Sequence, residues 1–458
     1  MHTQTRLMQI STLALGIAGA LAFGQAHAAG FQLKENSVKA MGRAFAGSAA
    51  APGDASVVVN NPAAMGQFDK ATVQVDVTVI DLSAQFNGGG TDAFGRPLSG
   101  GDGGEAGDTT PVPAISAIFP VGDSGITFGA MVSAPFGLKT DYDTGWVGRY
   151  HALKSELKTV DLTLSASLDI TDRFSVGVGA VYERADAELT KAVDFGTAIC
   201  ANPSSAGLCA AFPTVYGPQL QDGTAGLKGD DTGFGWIAGL HWRPTDKLTI
   251  GYSHRSEIDH ELEGDASFTV PAPIRNVFNA NPFPPARNVF TDTRGRAKLT
   301  TPSIDTLSVT YAFTDRFTLL ADVSQTDWHS LQNVTIDFAN PVQADSVEQF
   351  HWQDTKFYSL GAEFALNEQF ALRAGVARDE TPTNDADRTP RLPDGNRDWI
   401  SVGLTWTPTP AFELSGGYTH INVDDPTINN PANSSGAHLV GKYDAKVNLF
   451  GLSAQYRF

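Results

Sequence analysis

The sequence predicts an all-β protein, a 14-stranded antiparallel transmembrane β-barrel with an N-terminal, partly helical hatch inside its lumen. Three observations predict it. The chain opens on an export signal and holds no later apolar run long enough for a spanning helix. From residue 70 onward apolar and polar residues alternate. The connections between the alternating runs switch regularly between tight turns and long loops.

Arg6 is the only charge before a run from Leu7 to Phe23 that is apolar or small apart from Gln9, Ser11 and Thr12. Ala26-His27-Ala28 then supplies small residues two apart, so residues 1–28 read as a signal peptide cleaved after Ala28. No other uncharged apolar run reaches the length of a spanning helix, so a mature chain that enters a membrane does so as strands. Only 18% of residues are charged, against the roughly 25% usual for soluble domains. Asp and Glu outnumber Lys and Arg by 50 to 32. Removal of the signal takes away Arg6, and the net charge of -18 becomes -18 minus 1, or -19. That balance argues against a nucleic-acid partner, which rewards a basic face. The compartment expected is the outer membrane of a Gram-negative bacterium, and the domains are the signal peptide (1–28), the hatch (29–69) and the barrel (70–458).

The barrel rests on period two. Val160, Leu162, Leu164, Ala166, Leu168 and Ile170 alternate with Asp161, Thr163, Ser165, Ser167 and Asp169, which puts one set on each face of a strand. The same pattern runs through Val73 to Val79, Phe174 to Tyr182, Phe234 to Trp242 and Ile400 to Trp406. Such runs have the length a tilted strand needs to cross a bilayer. Thr171-Asp172-Arg173-Phe174, Thr245-Asp246-Lys247-Leu248 and Thr314-Asp315-Arg316-Phe317 are nearly the same turn repeated. Gly122 to Gly125, Asn367-Glu368 and Thr407 to Pro410 complete six short turns. Seven Gly, Pro, Asn and Asp-rich segments lie between them, near 87–110, 135–157, 189–230, 263–301, 329–348, 381–396 and 424–441. Six and seven make thirteen connections, hence fourteen strands, with short periplasmic turns and long outer loops. Aromatics at strand ends mark the interfaces, and the chain closes on Phe450, Leu452, Ala454, Tyr456 and Phe458 in one phase.

Residues 29–69 do not alternate. Ala40, Gly42, Ala44, Ala46, Gly47, Ala49 and Ala50 form a small-residue segment broken by Pro52-Gly53 and followed by Asn60-Asn61-Pro62-Ala63. Small side chains suit short helices in a confined space, so this segment is expected to fold up into the lumen as a plug. Cys200 and Cys209 share one Gly, Pro and Ala-rich stretch, and in an exported chain a disulfide closing a small surface loop is expected, with two free thiols or a metal pair as alternatives.

Ala29-Gly30-Phe31-Gln32-Leu33, Gly42-Arg43-Ala44-Phe45-Ala46-Gly47 and Asn61-Pro62-Ala63 resemble the amino terminus of the FadL family of outer-membrane transporters of long-chain fatty acids and hydrophobic compounds. Pro393-Asp394 with Arg397-Asp398-Trp399, running into the strand from Ile400, resembles the family as well. The resemblance covers essentially the whole mature chain. It implies passive uptake of a hydrophobic small molecule through a plugged barrel, with lateral release into the outer-membrane lipid. Long-chain fatty acids lead among the ligands. Aromatic or alkane hydrocarbons by the same route, or a general porin, are the alternatives. A monomer is expected.

The family places a kink in its third strand at an aromatic-Gly-Leu like Phe136-Gly137-Leu138. Here the run Ile126 to Ser133 meets Ala134-Pro135-Phe136-Gly137, and proline removes a ladder donor while glycine permits a bend. A lateral opening is therefore expected at Pro135, Phe136 and Gly137. Phe31 is expected to plug the pocket. A fatty acid needs an apolar sleeve and a cation for its carboxylate, which is costly to leave unpaired in a dry lumen. With Ile400, Val402 and Leu404 facing lipid, Arg397 and Trp399 take the inward phase. Lys191 has the inward phase of its strand, whereas Arg184 falls on the lipid phase. A lysine the family often carries has no counterpart near Thr335, a departure that leaves room for uncharged hydrocarbons.

No enzyme, cofactor or metal is expected. Gly251-Tyr252-Ser253-His254-Arg255 lacks the second glycine of a nucleophile elbow, there is no phosphate loop, and the ten histidines are scattered.

Overall fold

In the computed structural model, which describes residues 30–280, 288–430 and 436–458, fourteen antiparallel strands close into a barrel. The signal peptide assigned to residues 1–28, and Ala29 at the expected mature start, lie outside the described residues. The strands are β1 (Thr72–Thr91), β2 (Thr109–Pro120), β3 (Ile126–Ser133 and Gly137–Asp141), β4 (Lys154–Thr171), β5 (Phe174–Asp194), β6 (Asp222–Trp242) and β7 (Leu248–Arg255 and Ile258–Thr269). The second half continues with β8 (Thr293–Thr301 and Ile304–Thr314), β9 (Phe317–Thr326), β10 (Thr355–Ala365), β11 (Phe370–Asp379), β12 (Arg397–Thr409), β13 (Phe412–Val423) and β14 (His438–Arg457). Closure is the pairing of β14 with β1, from Thr72↔Arg457 to Thr91↔His438, which removes both sheet edges.

The alternation sorts the faces. Phe234 on β6 is 77% exposed and Leu452 on β14 is 74% exposed, while their neighbours Gly233 and Ser453 are buried within the lumen. The recurring short turn has a local cause. The Thr171 hydroxyl accepts from the Arg173 N–H at 3.2 Å, Thr245 accepts from Leu248 N at 3.1 Å, and Thr314 accepts from Phe317 N at 3.1 Å. The side chain thus satisfies backbone amides that the tight reversal strands outside the ladder.

Residues 30–69 fill the lower lumen. Helix α1 (Val38–Met41) is capped by the Ser37 hydroxyl, which accepts from Ala40 N at 3.1 Å. Helix α2 (Val57–Asn60) leads into a 3-10 turn (Pro62–Gln67), where the Asn61 side-chain Oδ1 accepts from Ala63 N at 3.1 Å. The wall makes space with glycines on its inner face. A Cβ on Gly403 would fall 2.9 Å from the Gly42 Cα, and one on Gly417 would fall 2.7 Å from the Met41 Cε. Amides of the hatch find partners on the wall: Val38 N donates to Asp76 at 2.9 Å, Ala49 N to Ser308 at 3.0 Å and Ala55 N to Gln74 at 3.0 Å. The polar phase of the strands is therefore the hatch's hydrogen-bonding surface.

Several of the long connections are shorter than the sequence expectation, whereas the one expected near 329–348 spans 327–354. β3 resumes at Gly137, within the expected 135–157 loop; β5 runs to Asp194 and β6 starts at Asp222, within 189–230; β7 runs to Thr269 and β8 starts at Thr293, within 263–301. The strands continue above the apolar band, where outward residues become charged and pair across strands. Lys154 meets Glu188 at 2.9 Å and Arg184 meets Asp230 at 3.1 Å, so no apolar alternation marks them. Helices α3 (Phe195–Ala201), α4 (Ala206–Ala211), α5 (Pro213–Tyr216) and α6 (Ala272–Ala280) sit in the outer loops. Cys200 and Cys209 form a disulfide that joins α3 to α4.

Candidate ligand pocket and wall opening

An apolar pocket occupies the upper lumen. Leu157, Leu189, Leu227, Leu262 and Leu299, from five neighbouring strands, supply its wall. Phe31 closes its floor. The Phe31 ring stands edge-on to Trp328 at 4.6 Å and to Phe136 at 5.9 Å, with Trp352 at 5.6 Å. One rim is polar: Glu348 accepts from Lys191 Nζ at 3.2 Å and from Arg391 at 3.4 Å, and Arg391 also donates to Ser155 Oγ at 3.1 Å. Burial works against the Glu348 carboxylate, but Arg391 and Lys191 outweigh it and hold its pKa below the ordinary value. Burial pushes the neighbouring His151 imidazole down to about 4, which leaves it neutral. Arg391 and Glu348 line the pocket itself, and Lys191 stands behind Glu348 in the same ion network.

Arg397 and Trp399 do point inward and are buried, yet neither reaches this pocket. The Arg397 guanidinium forms a close ion pair with Asp394 and lies 3.9 Å from Asp379. The other Asp394 oxygen accepts from Gly30 N at 2.9 Å and from Thr381 Oγ1 at 2.7 Å. The Arg397–Asp394 pair therefore anchors the start of the hatch, and Arg397 also lines a smaller cavity with Leu82 and Val447. Trp399 packs edge-on against Phe45 at 6.0 Å and Phe357 at 5.9 Å. Asn61, Pro62 and Ala63 sit in the lower hatch, where Asn61 Nδ2 donates to Ala49 O at 2.7 Å and to Leu240 O at 2.9 Å. Arg391 and Glu348 escaped the sequence reading because both lie in long connections where no strand phase assigns a direction.

The wall is interrupted at β3. Pairing with β2 covers Ile115↔Val132 to Pro120↔Thr127 and goes no higher, so Thr109 to Ala114 of β2 pair with β1 alone. β3 keeps its β4 partner on both sides of the bend, at Ser133↔Asp161 and again at Gly137↔Lys158. Between these points Phe136 turns inward and is fully buried. Its new partner is the hatch: Leu33 N donates to Pro135 O at 2.7 Å and Gly137 N to Phe31 O at 2.8 Å. Pro135 has no N–H to lose, which makes this the position where leaving the ladder is least unfavourable. Above the gap, Lys139 pairs with Asp108 and Asp141 N donates to Ala106 O at 3.2 Å.

A plugged barrel with an apolar pocket above the plug defines a transporter of hydrophobic compounds. The chain belongs to the family described as outer membrane protein transport protein (OMPP1/FadL/TodX), whose model matches residues 19–458. It is 29% identical to the long-chain fatty acid transport protein of Salmonella typhi, covering 97% of this chain and 98% of that one. The crystal structure of a Pseudomonas aeruginosa FadL homologue superimposes with a TM-score of 0.86 at 28% identity, over 93% of this chain and 99% of that one. The toluene transporter TbuX of Ralstonia pickettii shares the fold at a TM-score of 0.63 and 18% identity, over 93% and 99% of the two chains. The chain is thus an outer-membrane transporter of hydrophobic compounds.

Proposed function

We propose that the chain takes up long-chain fatty acids by passive diffusion, as a monomer, and releases them sideways into the outer-membrane lipid. The leucine-lined pocket holds the alkyl chain, Arg391 and Lys191 receive the carboxylate, the Phe31 floor yields, and the gap between β2 and β3 at Pro135 to Gly137 passes the ligand on. The observation that carries this reading is a buried arginine, Arg391, on the lining of an otherwise largely apolar pocket, with Lys191 just behind it in the same Glu348 ion network. Burying the chain is worth about 0.8 kcal/mol per methylene, and a charged contact about 1.5–3 kcal/mol. Release into water would forfeit the first term, whereas release into bilayer keeps it. The name of the Salmonella typhi relative supports the same ligand class.

Hydrocarbons are the second reading, because Glu348 already occupies both cations and an uncharged ligand would leave that rim intact. Binding of a fatty acid and of its methyl ester to the detergent-solubilised protein separates the two. The acid is expected to bind more tightly. Equal affinities would remove the carboxylate from the recognition and favour hydrocarbon uptake.

A further inference from the structure

The barrel wall is interrupted a second time, between β6 and β7. Ladder pairing runs from Trp242↔Ile250 to Ile237↔Arg255 and resumes only at Asp230↔Glu263, one residue out of register. Within the interval Ser256 N donates to Trp236 O at 2.9 Å. Side chains replace other ladder bonds: Trp236 N donates to Ser256 Oγ at 3.0 Å and Glu261 N to Asp231 Oδ2 at 2.9 Å. β8 breaks at the same height, its ladder with β7 passing from Thr301↔Ile258 to Ile304↔Arg255. Counted from the periplasmic turns, the two interruptions start at similar depth: Ala114 lies seven residues from Val121, and Trp236 lies nine from Thr245.

The apolar side chain of Ile258 stands in this seam. Ile258 is buried against Gly233 and Gly235, and a Cβ on Gly235 would fall 2.7 Å from Ile258 Cγ1. Outside, Phe234 and Trp236 are exposed on the lipid face. Inside, the apolar pocket reaches Leu262 and Gly229 just above, and a polar chamber beneath Phe31 reaches Ile237, Ser253 and Arg255 just below. Ladder hydrogen bonds are what make a barrel wall continuous, so a stretch held by side-chain substitutes opens at lower free energy than its surroundings.

A buried ionic cluster connects the seam to the bend in β3. Arg255 donates to Asp161 at 2.7 Å and to Glu183 at 2.9 Å, and Glu183 also bonds His260 Nε2 at 2.9 Å. The other His260 nitrogen faces Asp231 at 3.3 Å, on the opposite lip of the seam from Ile258. The Arg255 guanidinium lies over the Phe136 ring at 5.8 Å. The same charges thus hold the inward-turned Phe136 and the residue beside the seam's plug.

We propose that the β6–β7 seam is a second lateral port, through which a hydrophobic ligand passes from the lumen to the bilayer when Ile258 swings aside. This port rests on the uptake reading given above. Its test is a redox staple in a background whose first opening is obstructed by Gly137→Arg. Gly235→Cys with Ile258→Cys brings two Cβ atoms within the span of a disulfide. Whole-cell uptake of a labelled fatty acid is measured with the pair reduced and oxidised, disulfide formation being checked by intact mass and the barrel fold by heat-modifiability. The wild type under the same redox treatment controls for Cys200–Cys209. Uptake that persists when reduced and is lost on oxidation is the expected result. As a second variant that needs no oxidation, Ile258→Ala in the Gly137→Arg background is expected to raise uptake. Equal uptake by the oxidised and reduced forms, or no gain with Ile258→Ala, overturns the port. A wild type that takes up no fatty acid sinks the uptake reading first, and the port with it.

Discussion

Below Phe31 the lumen is filled by a hatch tied to the wall through many directed polar bonds, whereas above it lies a pocket lined mainly by apolar side chains. The hatch body is tied to β1, β8, β13 and β14 by amide-to-side-chain bonds and by the Lys39–Glu413 ion pair, with Lys39 Nζ also donating to Gln455 at 2.7 Å. The pocket above offers leucine side chains and, at one rim, the Arg391–Glu348 ion pair. Between the halves runs a short segment, Gly30 to Leu33, held by the Asp394 carboxylate, by two backbone bonds to the β3 bend and by Thr326 on the Gln32 side chain at 3.0 Å. A buried polar bond left unmade costs about 1–3 kcal/mol, so displacing the whole hatch is far less favourable than displacing this segment. The difference assigns closure to the hatch body and ligand response to its first residues.

Removing the body should have the largest effect. Deleting residues 30–66 empties a fourteen-stranded barrel into a water-filled channel, and single-channel conductance in planar bilayers should rise steeply. Deleting only 30–33 should leave conductance low while weakening ligand retention. Similar conductances for the two deletions would erase the division between them.

Next in size is the wall. Gly137 sits where the bend takes its bond from Phe31 O, and Gly137→Arg would fill the gap beside β2 with a long charged side chain. Whole-cell uptake should fall sharply in a variant that remains heat-modifiable. Undiminished uptake would reject this bend as the main exit and leave the β6–β7 seam or a route through the hatch to carry the flux.

The two inward arginines sharpen the contrast at smaller scale. Arg391→Ala should weaken a fatty acid by about 1.5–3 kcal/mol, or some ten- to a hundredfold, and leave its methyl ester unchanged. Arg397→Ala, which frees Asp394 and loosens Gly30, should weaken acid and ester alike. Calorimetric titration of both ligands against both variants decides the matter, and the reverse pattern would exchange the two roles.

The sequence shows the outward face well, because lipid tolerates only apolar side chains there: Phe234, Trp236, Leu240 and Trp242 alternate without exception. The repeated Thr-Asp turns are equally legible, since one hydroxyl satisfying one tight reversal is a local event. The inward phase is opaque for a physical reason. Asp161, Glu183 and Arg255 occupy positions where any polar residue keeps the period, so alternation does not separate a buried ion cluster from a wetted lumen. Arg397 shows the same blindness: its direction follows from phase, but its partner Asp394 lies in a loop and is found only by folding. The strand extensions above the membrane, such as Glu156 to Lys154, lose the apolar half of the pattern and read as loop.

The smallest expected effect is a pH dependence of the connecting segment. Burial pushes the Glu35 carboxyl up to about 7, against the backbone amides of Lys34 and Glu35 and the charges of Arg397 and Lys34. In an undocked chain the group returns to about 4.3. Between those values the docked segment holds a proton that the undocked one has released. Stability of docking is therefore full below about pH 4.5, falls as pH rises through that window, and is lowest above 7. Native-state hydrogen exchange of the Leu33 and Gly137 amides, corrected for intrinsic rate, should show weaker protection at about pH 8 than at about pH 5. Glu35→Gln cannot ionise and should flatten that dependence while leaving the hatch body protected at both values. Protection that is independent of pH in the wild type would mean that Glu35 keeps one protonation state on both sides of docking, and the segment's response would then have to come from the ligand alone.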